Sequence, residues 1–201
     1  MLWLPTHFAM KPAKRMGHGA CYEGSIKIVD RPQRAVPYEP VMSTLAVRPA
    51  LPEDEIFLYE LYSAVRAPEF ALAPISPTDR EHLLRMQFRA QLSSYTQMYP
   101  NSCYHIVLLD SRPVGRLWVA QMDSEFHLVD IAVHPNVQSK GIGTALVQRL
   151  QQEAARAGMP ISSCVFRFNP GSVRFHKRLG FSIVREDEMH YFMEWRTVAL
   201  V

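Results

Sequence analysis

Gln138, Ser139, Lys140, Gly141, Ile142, Gly143 and Thr144 restrict what this chain can fold into more than any other stretch. They follow an apolar run that ends at Val133 and reads as a strand. They open a helix at 141–157, where Ile142, Ala145, Leu146, Leu150, Ala154 and Ala157 recur at helical spacing until Gly158 and Pro160 stop it. A strand that turns through glycines into a helix aims the free N–H groups of the first helical turn at one point, and the glycines let an anion approach the main chain. A phosphate suits that point. The helix dipole contributes about 0.3 to 2 kcal/mol towards it, and Lys140 adds a point charge. Gln or Arg, two free positions, Gly, one free position and Gly or Ala arise by chance in about one chain in five of this length, so the neighbouring elements must decide.

Those elements are legible from Ser43 onward. Residues 44–48 read as a strand and 52–65 as a helix with Ile56, Tyr59, Leu61 and Val65 on its apolar side. A loop follows at 67–75. Ser76 and Pro77 then start a second amphipathic helix that ends before Pro100. Residues 104–109 and 114–122 flank a turn at 110–113 as a hairpin, and 126–133 supplies the next strand. After the 141–157 helix come a strand at 161–167, a short helix from Asn169 and Pro170 to Leu179, and closing strands at 181–185 and 190–195. This order predicts an α/β domain over 43–201: a mixed sheet with helices on both faces. Residues 1–42, broken by five prolines and carrying basic residues at 11–15, read as an extension in which only Ile26, Ile28 and Val29 suggest a strand.

Two motifs at matching separation now resemble the GNAT superfamily of acetyl-CoA-dependent N-acetyltransferases. The first is Ile131-Ala132-Val133-His134-Pro135 followed by the Gln138 loop; the second is Asn169, Ser172, Phe175-His176 and Leu179-Gly180-Phe181. The resemblance covers about residues 44–195 and is strongest from 129 to 181. It implies a six- to seven-stranded sheet splayed at its centre, with acetyl-CoA as co-substrate and no metal. The pantetheine arm would lie in the splay and pair with unpaired main chain, N–H groups near Ile131, Ala132 and Val133 would polarise the thioester carbonyl, and Asn169 would contact the arm. A primary amine of a small molecule or peptide would attack directly, with no covalent enzyme intermediate. The alternative is a non-catalytic acyl-CoA-binding module on the same fold.

His176 departs from the family, which most often has Tyr there to protonate the leaving thiolate. An imidazole either assists the leaving group or fills the Tyr space. For the base, His127 holds about the place of a family glutamate. Asp130, which strict alternation puts on the opposite side of the strand from His127, needs a partner or a function within an apolar run. By analogy with the family, Arg66 and Glu69 fall in a region that often contacts the acceptor.

Composition excludes other classes. A net charge of +3 with no basic run argues against nucleic acid, and no apolar stretch approaches the roughly 18 residues of a membrane span. Cys21, Cys103 and Cys164 are odd in number and far apart, which points to a reducing, cytoplasmic setting. Cys164 reads as core, and the remaining histidines lack metal spacing. Phe192, Met193 and Trp195 read as packing or a subunit seam, which leaves a homodimer open.

Overall fold

In the computed structural model, residues 24–29, 42–70 and 73–197 are described. Among them the strands are β1 (Gly24–Val29), β2 (Met42–Pro49), β3 (Cys103–Leu109), β4 (Arg112–Gln121), β5 (Phe126–Val133), β6 (Ile161–Phe166), β7 (Ser182–Glu186) and β8 (His190–Trp195). The helices are α1 (Glu55–Phe70), α2 (Pro77–Met98), α3 (Ile142–Ala157) and α4 (Pro170–Arg178). The strands form one mixed sheet in the order β1-β2-β3-β4-β5-β6-β8-β7. One strand more than the expected six to seven is present, because β1, from the segment read as an extension, pairs antiparallel along β2. The basic residues at 11–15 and Cys21 lie outside the described residues.

Alternation along the strands divides the core between the two faces of the sheet. On one face Leu45, Val107, Leu117, Leu128, Ile161, Val165 and Met193 pack against Leu146, Val147, Leu150 and Ala154 of α3. On the other, Ile106 packs with Leu58 and Tyr62 of α1 and Leu84 and Phe88 of α2. Met193, and Trp195 packed against the first cluster, are therefore core of this chain, one of the two options their sequence left open.

Several caps follow the sequence. Ser76 Oγ accepts from Asp79 N at the start of α2, with Pro77 behind it. Gly158, at φ 65°, ends α3 in the left-handed conformation that glycine adopts without strain. The α1 expectation fails in its phase. The buried stripe is Leu58, Leu61 and Tyr62, while Ile56 is 73% exposed and Val65 also faces solvent. The bidentate pair of Arg48 with Asp54 anchors the start of this segment and sets its rotation. α1 also runs on to Phe70, through Pro68, into what read as loop.

Candidate active site

The two central parallel strands, β5 and β6, are joined over only three residues: Phe126 with Ile161, His127 with Ser162, and Leu128 with Ser163. Beyond Leu128 the strands part. Residues 130–133 of β5 remain paired to β4 on their other edge but, like Val129, have no β6 partner, while β6 continues along β8. A slot about five residues long, about 16 Å at 3.3 Å per residue, results. Its closed end is the Leu128–Ser163 pair.

The Gln138 loop stands at the open end. Gln138 Nε2 donates to Val133 O at 2.8 Å, tying the loop to the last residue of β5. Ser139 (φ 63°) and Gly141 (φ 81°) both take left-handed conformations, folding the chain tightly into α3. Ala145 N makes the first helical bond, to Gly141 O, so the N–H groups of Ile142, Gly143 and Thr144 precede the helical ladder. Gln138, Ser139, Lys140 and Gly141 are exposed, and a Cβ built on Gly141 meets nothing within 4 Å. The helix end is open. Gly143 serves differently: its Cβ would stand 3.4 Å from the Phe175 ring and 4.0 Å from Ile131 Cδ1, so its smallness serves packing between α3, β5 and α4.

α4 flanks the slot on the α3 face. Asn169 Oδ1 accepts from Ser172 N at 3.0 Å as the N-cap, which fixes the amide plane and leaves Nδ2 as its donor. His176 is buried between Phe175 and Phe181, both edge-on to its ring. Its Nδ1 lies 2.9 Å from Ser172 O, which can only accept, so Nδ1 carries the proton. Nε2 faces Ser163 Oγ at 3.3 Å. Burial lowers the pKa of this ring despite the Ser172 bond, which favours the cation.

The opposite face carries the polar residues that the sequence could not arrange. Between Trp118 and Val119 of β4 the β5 register shifts, leaving Val129 as an extra residue: Ala120 faces His127 and Trp118 faces Asp130. This bulge reverses the alternation, so His127 and Asp130 lie on one side of the strand and not on opposite sides. Asp130 Oδ2 accepts from Arg116 Nε at 2.5 Å, and Arg116 Nη2 donates to Gln91 Oε1 at 2.9 Å. Burial is the largest influence and works against the Arg116 charge, but the Asp130 carboxylate together with Tyr104 and Tyr95 outweighs it and the guanidinium pKa is raised. Arg116 was missed at the sequence level; like Asp130, it is a charge inside an apolar strand, and that shared anomaly was the available signal.

His127 Nδ1 lies 2.8 Å from Ser162 Oγ, and its ring stacks on Tyr99 with centroids 5.2 Å apart. Burial alone pushes its pKa down to about 4, so the ring is neutral at neutral pH. Tyr95 and Tyr104 sandwich this region through Trp118, at 5.4 and 4.1 Å. Burial pushes the phenols of Tyr99 and Tyr104 up to about 12, leaving both as donors. Gln91 and Tyr95 of α2 and Tyr99, its C-cap, follow one another at four-residue spacing and lie along Arg116, Trp118 and His127. Cys164, expected in the core, is exposed here, on the face of β6 opposite Ser163. Although the residue keeps solvent contact, the surrounding protein partly desolvates its sulfur, and this and then the Asp187 carboxylate push the thiol up to about 11. Arg66 and Glu69 pair with each other at 3.0 Å at the end of α1.

Among the described residues no helix is long and apolar enough to cross a membrane. A mycothiol acetyltransferase of Nocardiopsis dassonvillei is 31% identical over 112 residues, which are 56% of this chain and 31% of that protein. The chain thus spans about a third of the curated relative's length. Among solved structures, the PaiA N-acetyltransferase of Thermoplasma acidophilum in complex with coenzyme A superposes with a TM-score of 0.60 at 19% identity, covering 76% of this chain and 99% of that one. An acetyltransferase of Thermus thermophilus gives 0.56 at 19% identity over 76% and 97%. Both share the fold. The sequence model of the acetyltransferase (GNAT) family matches residues 58–181, which run from α1 through the slot, the loop and α4, and the chain belongs to that family.

Proposed function

We propose that the protein transfers an acetyl group from acetyl-CoA directly to a primary amine of a small molecule or peptide. The observation that carries this reading is the slot between β5 and β6 ending at the open N-terminus of α3. The loop from Gln138 to Thr144 offers main-chain N–H groups and Lys140 to the diphosphate. Residues 129–133 offer unpaired main chain to the pantetheine arm, in the manner of an added strand, with Asn169 Nδ2 as a side-chain donor from α4. An arm that starts at the open end reaches the closed end with its thioester. His134 N donates to Val114 O on β4, so alternation back along β5 turns the N–H groups of Ala132 and Asp130 to β4 and those of Val133 and Ile131 to the slot; Val133 serves the arm and Ile131 comes nearest its carbonyl.

The amine enters from the α1 and α2 face, where His127 and Asp130 stand on the same side of β5. Asp130 Oδ2 is engaged by Arg116, which leaves Oδ1 to orient the incoming amine. The neutral His127 ring, whose Nδ1 faces Ser162, takes the proton released on attack, directly or through water. Neither step needs a metal ligand.

The test is release of free CoA thiol from acetyl-CoA across a panel of primary amines, run beside calorimetry of acetyl-CoA binding. Amine-dependent release with micromolar to millimolar KM is expected. Tight binding without turnover on any amine would make the chain a binding module, and no heat with any acyl-CoA would end the reading.

A further inference from the structure

The closed end of the slot holds a polar pair that the transfer scheme leaves unused. Ser163, on the last residue pair before β5 and β6 part, is buried, and its Oγ donates to Leu128 O across that pair at 3.2 Å. The same Oγ lies 3.3 Å from His176 Nε2. The strand neighbours Ile161 and Val165 on this face are apolar and buried, as is Met193 opposite Ser163 on β8. Here a valine or alanine would satisfy packing, and a hydroxyl calls for a reason.

The tautomer supplies one. Because Ser172 O holds the His176 proton on Nδ1, Nε2 presents a lone pair to the serine. Ser163 therefore has one proton and two acceptors, Leu128 O and His176 Nε2, and can donate to only one of them at a time. Such a hydroxyl is held in place but not committed. A charged acceptor arriving at the closed end outcompetes both neutral ones, since hydrogen bonds to ionised groups are about twice as strong.

We propose that the Ser163 hydroxyl donates a hydrogen bond to the sulfur leaving the thioester, and that His176 is the residue that positions it. This rests on the acetyl-CoA reading, which brings the thioester to the closed end. In the step, the amine nitrogen bonds to the acetyl carbon and the carbon–sulfur bond breaks. The sulfur keeps the electron pair and departs as a thiolate held by Ser163 O–H. The amine's proton goes to the base on the other face, and CoA takes its own proton from solvent on release. No proton passes through His176, whose single N–H stays on Ser172 O.

The experiment measures two things on the full chain: kcat and KM for acetyl-CoA with a turned-over amine, and the thiol pKa of bound CoA, followed by ultraviolet thiolate absorbance. Ser163→Ala is expected to lower kcat about ten- to a hundredfold with KM for acetyl-CoA unchanged, and to raise the bound thiol's pKa by about one unit. An unchanged kcat together with an unchanged bound thiol pKa overturns the proposal. His176→Phe is expected to give a smaller loss in kcat. A limb of the pH–rate profile that vanishes in this variant would assign proton transfer to His176 and overturn its positioning role. Should Ser163→Ala fail to fold, the wild type decides: its affinity for CoA should rise as the thiol ionises while that for desulfo-CoA stays flat, and equal pH responses refute the contact. Failure of the acetyl-CoA reading itself is distinct, since the wild type would then bind neither CoA nor desulfo-CoA, and both proposals fall.

Discussion

Gly141 and Gly143 occupy the same motif, yet their surroundings predict opposite consequences of substitution. At Gly141 the backbone has φ +81° and a Cβ would project into space free of protein atoms within 4 Å. Gly141→Val meets no protein clash, but an L-residue in this left-handed conformation costs about 1 to 2 kcal/mol. At about 2 to 4 °C per kcal/mol for a chain of this size, Tm should fall by about 2 to 8 °C. The larger effect is on binding. If relaxing the turn withdraws one N–H from the diphosphate, about 1.5 to 3 kcal/mol of charge-assisted hydrogen bonding goes with it, about a 10- to 150-fold loss of acetyl-CoA affinity. Gly143→Ala places its methyl 3.4 Å from the Phe175 ring, close to ordinary van der Waals contact, while removing a helical glycine that costs up to about 1 kcal/mol. The two effects oppose each other, so stability should stay within about 1 kcal/mol of wild type and affinity within about threefold. Urea unfolding and calorimetry with acetyl-CoA read both quantities. Wild-type affinity in Gly141→Val would mean that this turn does not form the diphosphate cradle. A tenfold affinity loss in Gly143→Ala would mean that its hydrogen faces ligand and not Phe175.

Arg116→Leu strands the Asp130 carboxylate and removes the donor to Gln91, so it should cost about 3 kcal/mol in chemical denaturation. Arg116→Leu combined with Asp130→Leu should recover at least half of that, and a purely additive double variant would refute the pairing. Burial holds His127 neutral down to about pH 4, whereas in the unfolded chain it titrates near 6.5. The unfolded state therefore binds the extra proton first as pH falls, and stability that is complete above about pH 6.5 should decline towards pH 4 by about 3 kcal/mol. His176 is shifted in the same direction and adds to the slope. His127→Gln should flatten the curve, and an unchanged curve counts against the burial of that ring. Asn169→Asp retains the Oδ1 cap but removes the amide donor. Tm should therefore hold while KM for acetyl-CoA rises severalfold, and a fall in Tm with KM unchanged would make Asn169 a cap alone.

What the sequence made legible was regular, and what it hid depends on one irregularity. The loop after Val133, the α3 stripe and the Ser76 and Asn169 caps all follow from local spacing, because a cap or a glycine turn is decided within four residues. The phase of α1 was not decided locally: the Arg48–Asp54 pair, which reaches back to β2, outweighs a weak apolar stripe and turns Ile56 to solvent. The bulge at Val129 is the consequential case. Period-two alternation from His127 separates it from Asp130, and nothing in Leu128-Val129-Asp130 marks an inserted residue. A constraint between strands was nonetheless present. Arg116 and Asp130 are both charged in apolar strands of one hairpin, and two buried charges must meet. In the observed register Arg116 lies opposite Ala132 on β5, the same-face neighbour of Asp130. Without the bulge, carrying the His127–Ala120 pairing forward would set Asp130 opposite Leu117, on the α3 face, with Arg116 stranded across the sheet. The pairing of charges thus requires the extra residue, and the same residue turns Asp130 to the His127 side next to the slot. Removing Val129 should therefore cost both the ion pair and the acceptor site, whereas a substitution at Val129 that leaves the residue count intact should cost neither.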